Sequence, residues 1–457
     1  MTERLVVIGG DAAGMTAAAR ARRRRDPEDL EIVAFERGPY TSYSACGIPY
    51  FVGDLVSDVD ELVARTPDEH RRNGIDVRTG HEVVAIDVNR RRVRVRDLAG
   101  DGAAGAERDE PFDQLVVATG AVPSRPPVPG ADAAGILGVQ TLADGVTARR
   151  AVDDRSPNRA VVVGGGYVGL EMAEALVRRG LEVALVDRTE QPMAGTLDLD
   201  MGALVADALR AVGVTLYLGE AVDGFDVENG SVRAVHTANR SLPADVVVLG
   251  LGVRPDSSLA KEAGVAVGDT GGIVTDPRME TSVGGIWAAG DCVESTHRIT
   301  GLPVAIALGT HANKQGRVVG INATGGDVRF PGVIGTAVSK ICIYEVARTG
   351  LTERQAAELD RDVVAATIES TTRAGYYPES APIKVKVVAD RGDGRIVGAQ
   401  IVGAEGAAKR IDVIATAIWN RMPVDEVASL DLSYAPPFSP VWDPVLVAAR
   451  KAADMLD

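Results

Sequence analysis

Residues 158–188, NRAVVVGGGYVGLEMAEALVRRGLEVALVDR, decide the fold. The apolar run Ala160–Val163 leads into Gly164, Gly166 and Gly169 in full GxGxxG register. An amphipathic segment carrying Glu171 and Glu174 follows, and a second apolar run ends at Asp187. Strand, glycine turn, helix and strand in this order aim backbone N–H groups at a pyrophosphate. Asp187 stands where a carboxylate accepts from an adenosine ribose diol, which favours NADH. The neighbouring Arg188 suits a 2′-phosphate, so NADPH stays open.

The same unit occurs at the N-terminus. RLVVIGGDAAGMTAAARARRRR, residues 4–25, is an apolar strand, a glycine turn and an alanine-rich helix, and LEIVAFERG, residues 30–38, adds a strand ending in Glu36. Gly9 and Gly14 keep the fingerprint's outer positions, while Asp11 holds the middle one ahead of Ala12 and Ala13. Two dinucleotide units in one chain imply one tightly held and one exchangeable dinucleotide.

Bulk composition narrows the class. The chain has 457 residues, 46% hydrophobic, with a formal net charge of -15, too long for one core and acidic enough to argue against nucleic-acid binding. It has no apolar run of about 18 residues, so no membrane span is expected. The first residues enter a strand at once, leaving no signal peptide to read, and the expected compartment is the cytoplasm. Cys46, Cys292 and Cys342 are odd in number and far apart, which excludes a secreted disulfide framework and points to no metal site.

Three further stretches organise the chain. FDQLVVATGAVPSRPPVPG, residues 112–130, is a strand ending near Thr119 and Gly120 before a proline-rich crossover. GGIWAAGDCVES, residues 284–295, is a strand ending at Gly290 and Asp291. Both resemble the return segments of two-dinucleotide flavoproteins, which assigns FAD to the N-terminal unit. ADVVVLGLGVRPDSSLA, residues 244–260, closes the inserted nicotinamide unit at Gly252. The expected class is α/β, with two Rossmann-like dinucleotide-binding domains, for FAD and NAD(P), and a C-terminal α+β dimerisation domain. The expected division is 1–148 and 267–329 for FAD, 149–266 for NAD(P), and 330–457 for dimerisation.

The whole chain resembles the pyridine nucleotide-disulfide oxidoreductases, and within them the coenzyme A disulfide reductase branch with its single-cysteine NADH oxidases and persulfide reductases. The carrying motifs are GGDAAGM, SYSACGIPY, GGGYVGLE, WAAGDC, GYYP and YAPPFSPVWDPVL. In that branch the first glycine motif is GGxAAG, which accounts for Asp11. Two-cysteine members carry CxxxxC at the thiol; here Phe51 stands five residues after Cys46. The resemblance therefore implies that Cys46 works through a mixed disulfide, a persulfide or a sulfenic acid.

Other roles follow by the same resemblance. FAD contacts fall to Gly9, Ala12, Ala13, Gly14, Glu36, Arg37, Val83, Thr119, Gly120 and Asp291. NAD(P) contacts fall to Gly164, Gly166, Tyr167, Val168, Gly169, Glu171, Asp187, Arg188 and Gly252. Coenzyme A contacts fall to Thr16, Arg20, Arg23, Ser42, His311 and Trp442, the last in place of a lysine. No histidine follows His311, so the C-terminal His-Glu acid of two-cysteine members is missing, and Tyr376 and Tyr434 take its place, delivered across a homodimer axis to Cys46. The implied substrate is coenzyme A disulfide or its persulfide or polysulfide. The alternatives are an NADH oxidase or peroxidase, whose members carry a histidine in the first glycine turn, an electron-transfer reductase to a quinone or ferredoxin-like acceptor, and a non-catalytic redox sensor.

Overall fold

A computed structural model describes residues 2–98, 105–154 and 156–456. The chain forms two compact units. The first gathers the residues up to Ser124, Gly138–Asp153 and Gly252–Val333; the second gathers Arg125–Leu137, Asp154–Leu251 and everything from Ile334.

The first unit is built on a five-stranded parallel sheet in the order Ile286–Ala288, Gln114–Val117, Glu3–Ile8, Leu30–Glu36, Asp76–Thr79. Val6 lies opposite Val33 on one side and Leu115 on the other, and Leu5, Val6 and Val7 are fully buried. Continuous apolar runs suit such a strand because helices cover both faces. The edge strand Ile286–Ala288 comes from beyond the inserted unit, so the chain leaves this sheet and returns to it. On one face, helix Ala12–Arg22 packs against helix Gly309–Asn322. Their backbones touch because Gly316 and Gly320 present no side chain. A Cβ at those positions would stand 2.3 Å from the Ala13 carbonyl oxygen and 2.4 Å from that of Ala17.

The second unit holds a parallel sheet in the order Thr215–Leu218, Glu182–Asp187, Arg159–Val163, Val246–Leu249, Ile136–Gly138. It also holds an antiparallel sheet in the order Ala337–Ile341, Tyr344–Gly350, Ile396–Gly403, Pro382–Asp390, Val363–Thr371. All eight residues of Ile396–Gly403 are buried, under helices Ile411–Trp419 and Pro444–Asp454 on this sheet. A buried polar joint ties the two sheets. The Asp198 carboxylate accepts from the N–H groups of Glu353 at 3.1 Å and Arg354 at 3.3 Å, and its own N–H donates to Gln400 Oε1 at 2.7 Å.

Candidate active site

Two glycine cradles are present, one in each unit. At Gly9 the φ angle is +109°, and an added Cβ would lie 2.1 Å from the Ala118 carbonyl oxygen; at Gly14 it would lie 2.1 Å from that of Gly9. The turn into helix Ala12–Arg22, which opens with Ala12 and Ala13, therefore admits no larger residue at either end. Glu36 closes the cradle by accepting from the N–H of Gly10 at 2.8 Å and of Gly38 at 2.7 Å. Arg37 beyond it is exposed, and Val83 packs against the core. Thr119 donates through Oγ1 to the Asp256 carbonyl, and Gly120 takes φ +73°.

Asp291 shows that this unit fits FAD. Its carboxyl makes no hydrogen bond to the protein among the described residues, and burial raises its pKa to about 6. A buried carboxyl beside Gly290 with no protein donor suits sugar-like hydroxyls, which the ribityl chain of FAD would supply. Asp11 is also raised to about 6 by burial, against the hydrogen bond it accepts from the Tyr43 N–H at 3.1 Å.

The second cradle repeats the first. Gly164 takes φ +102°, with an added Cβ 2.5 Å from the Gly250 carbonyl oxygen, and Gly169 would place one 2.0 Å from that of Gly164. Gly166 caps helix Tyr167–Arg178. The Asp187 carboxylate accepts from the Gly165 N–H, from the Thr189 N–H at 2.8 Å and from Thr189 Oγ1 at 2.7 Å. Arg188 and Val168 are exposed. Glu171 accepts from Ser339 Oγ at 2.6 Å, and burial raises both its pKa and that of Tyr167. Gly252, at φ +79°, belongs to the first unit, where its carbonyl accepts from the Ser124 N–H at 2.9 Å.

Cys46 is exposed, whereas Cys292 and Cys342 are buried, and burial raises both of those thiols to about 11. The single turn of 3-10 helix Ala45–Gly47 carries Cys46 directly into helix Ile48–Val52. Gly47 lets Leu62 pack beneath the turn, where an added Cβ would meet Leu62 Cδ2 at 2.3 Å. Phe51 is buried, with the Arg149 guanidinium 4.6 Å above its ring. Arg149 also donates to the Phe51 carbonyl at 2.7 Å and to Asp54 at 2.7 Å. This clamp holds helix Leu142–Asp153 in the first unit, so the boundary expected between residues 148 and 149 falls inside a helix.

Beside the thiol turn, a cleft of about 660 Å³ brings together Thr16, Arg20, Arg23 and Ser42 of the expected substrate contacts. Sequence reasoning missed Arg65, His70, Lys314 and Arg317, which also line it. Five cations thus face one cleft from the first helix, the loop after residue 62 and helix Gly309–Asn322. Arg20 Nε is buried without a partner among the described residues. Thr16 Oγ1 donates to Asn313 Oδ1 at 2.7 Å. His311 lies one turn before Lys314 and outside the cleft lining, and its imidazole pKa is lowered by burial.

In the second unit, Tyr376 and Tyr434 meet. The neighbouring Tyr376 hydroxyl raises the pKa of Tyr434. Arg410 positions both segments by donating to the Thr372 carbonyl at 2.9 Å, the Phe438 carbonyl at 2.7 Å and Asp443 at 2.9 Å. Around the pair lies an exposed apolar group, with Phe438 75% and Val441 67% accessible. Trp442, also exposed, stacks under Arg450 at 5.1 Å.

Among the described residues no cluster of His, Cys, Asp and Glu could hold a metal, and no helix is long and apolar enough to cross a membrane.

The pyridine nucleotide-disulphide oxidoreductase family model matches residues 3–316, and the model of that family's dimerisation domain matches residues 336–444. The chain is 38% identical over 447 residues to the NAD(P)H sulfur oxidoreductase (CoA-dependent) of Pyrococcus abyssi, covering 98% of this chain and 97% of that protein. It is 36% identical over 454 residues to a protein of Methanocaldococcus jannaschii named NADH oxidase, covering 99% of each. The solved NAD-dependent persulfide reductase from A. fulgidus superposes with a TM-score of 0.94 at 39% identity, over 99% of this chain and 83% of that one. Since the two models together run from the first strand to the start of the last helix, the chain belongs to the pyridine nucleotide-disulphide oxidoreductase family.

Proposed function

We propose that the protein is a cytoplasmic homodimeric reductase of coenzyme A disulfide, or of coenzyme A persulfide or polysulfide, drawing electrons from NADH or NADPH. The observation that carries this reading is the exposed thiol of Cys46 beside a cleft lined by five cations, with phenylalanine where a second cysteine would close an internal bridge. Cations converging from separate elements suit the several phosphates of coenzyme A. The Pyrococcus and A. fulgidus relatives, named for sulfur and persulfide reduction, support the same class.

The Cys46 thiolate attacks one sulfur of the bound disulfide, forms a mixed disulfide and releases the other half as a thiolate. FAD, which the Gly9–Gly14 turn, Glu36 and Asp291 would hold, would supply to that bond the two electrons drawn from the nicotinamide. The mixed disulfide then opens into the Cys46 thiolate and a second coenzyme A thiolate. The Tyr376–Tyr434 pair donates hydrogen bonds to the departing sulfur, and its exposed apolar surroundings form the contact with the second subunit. One NAD(P)H and one proton are consumed for each disulfide converted to two thiols.

Cys46→Ser tests this directly. The variant should retain FAD and NADH-dependent reduction of an artificial dye while losing turnover of coenzyme A disulfide. Undiminished disulfide turnover would exclude the mechanism. A second reading, reduction of oxygen through a Cys46 sulfenic acid, is favoured by the name of the M. jannaschii relative. It predicts oxygen consumption that also depends on Cys46 and proceeds without added coenzyme A.

A further inference from the structure

Ser42 and His70 form a hydrogen-bonded pair in the cleft wall, with Oγ and Nε2 3.0 Å apart. Ser42 adopts φ +47°, a left-handed conformation that costs a serine energy and persists only where its surroundings impose it. They do so here, because its N–H donates to the Gly10 carbonyl at 3.0 Å and its carbonyl accepts from the Ala64 N–H at 2.8 Å. The serine is thus held at both ends of its backbone and at its hydroxyl.

His70 is 1% exposed, and its Nδ1 is buried without a hydrogen-bond partner among the described residues. Burial, reinforced by Arg65, lowers its pKa to about 4, so the ring is neutral and carries one N–H. A proton on Nδ1 would strand a buried donor. A proton on Nε2 strands only a lone pair and is spent on Ser42. Buried N–H groups without partners are rare, so the pairing assigns the proton to Nε2. Ser42 Oγ then accepts from the imidazole, and its own hydrogen is left for an acceptor elsewhere.

We propose that His70 is a positioning residue that holds Ser42 Oγ as an acceptor and so presents the serine hydroxyl hydrogen to an acceptor atom of the ligand in the cleft. This rests on the reading of that cleft as the coenzyme A site. His70 touches no reacting atom; it acts by fixing which way one hydroxyl donates.

The test is steady-state kinetics of the FAD-loaded dimer with coenzyme A disulfide, comparing Ser42→Ala, His70→Leu, His70→Gln and Ser42→Ala combined with His70→Leu. Loss of one hydrogen bond to a charged or strongly polar acceptor corresponds to about a 10-fold rise in KM. Ser42→Ala and His70→Leu should each show that rise with kcat within about twofold, a ground-state binding signature. Glutamine, which retains an N–H donor, should recover most of the loss, and His70→Leu should add nothing in the Ser42→Ala background. Independent, multiplying effects of the two changes, or an equal loss in leucine and glutamine variants, would overturn the proposal. If His70→Leu purifies without flavin, Ser42→Ala alone decides, and an unchanged KM there overturns it. Absence of turnover with coenzyme A disulfide, persulfide and polysulfide alike in the unaltered enzyme would instead overturn the functional reading, and this proposal with it.

Discussion

The backbone N–H of Gly10 donates to the Glu36 carboxylate at 2.8 Å, and the same bond recurs in the second unit between Gly165 and Asp187. In each cradle the acidic residue closing the second strand is anchored by the glycine turn after the first strand. Such a carboxylate is oriented before the nucleotide arrives, so less ordering entropy is lost on binding.

Asp187 carries a cofactor prediction. Its oxygens are engaged by Gly165 and Thr189, while the exposed Arg188 stands next to it. If Asp187 accepts from the ribose diol, Asp187→Ser weakens that acceptor and removes the repulsion of a 2′-phosphate together. KM for NADH should rise about 10- to 100-fold, the loss expected for a charge-assisted hydrogen bond, while KM for NADPH falls. The ratio of kcat/KM for the two nucleotides, before and after substitution, measures this.

Arg149 carries a stability prediction. It stacks on Phe51 and donates to three acceptors, the Phe51 and Val56 carbonyls and Asp54. Arg149→Met should destabilise the first unit by about 1–3 kcal/mol, since the partly buried Phe51 and Val56 carbonyls lose a charged donor. The expected readout is a lower thermal midpoint in flavin fluorescence, with Cys46 becoming more accessible to an alkylating reagent as its supporting helix loosens.

The phenol pair carries a pH prediction. A proton-donating tyrosine acts below its pKa, and the neighbouring Tyr376 hydroxyl raises that of Tyr434. The alkaline fall in disulfide turnover should therefore lie above the ordinary phenol value of about 10. Tyr376→Phe removes that hydroxyl, so the alkaline limb should move to lower pH. A limb that stays in place would separate Tyr434 from the proton transfer.

Much of this site was legible because its chemistry is written in short, contiguous patterns. Gly164, Gly166, Gly169 and Asp187 declare themselves by spacing, and at Gly164 and Gly169 the close backbone approach admits no side chain. Cys46 was equally plain, being set in a glycine-proline turn without a nearby second thiol. Arg65, Lys314 and Arg317 were not legible, because each sits in an ordinary polar stretch and gains meaning only where helix Gly309–Asn322 crosses the first helix at Gly316 and Gly320. The clamp of Arg149 on Phe51 was hidden for the same reason. It joins residues far apart in sequence, Phe51 and Arg149, within one unit.

The five cations of the cleft make the ligand's charge measurable. Arg20, Arg23, Arg65, Lys314 and Arg317 bring positive charge from three parts of the first unit to one surface, within a chain whose net charge is -15. If their partners are the phosphates of coenzyme A, KM for coenzyme A disulfide should rise with ionic strength, as the Debye length falls from about 10 Å at 0.1 M salt to about 3 Å at 1 M. Turnover of an uncharged small disulfide should show no such dependence. Arg317→Ala should raise KM for coenzyme A disulfide about 10-fold, the scale of one charge-assisted hydrogen bond, and should leave kcat and the uncharged substrate unaffected. Removing the 3′-phosphate from the ligand should reproduce part of the loss in the unaltered enzyme, and less of it in the variant if Arg317 is its partner. Equal salt dependence for charged and uncharged disulfides would show that the cleft does not bind phosphate, and would return the choice of substrate to the thiol alone.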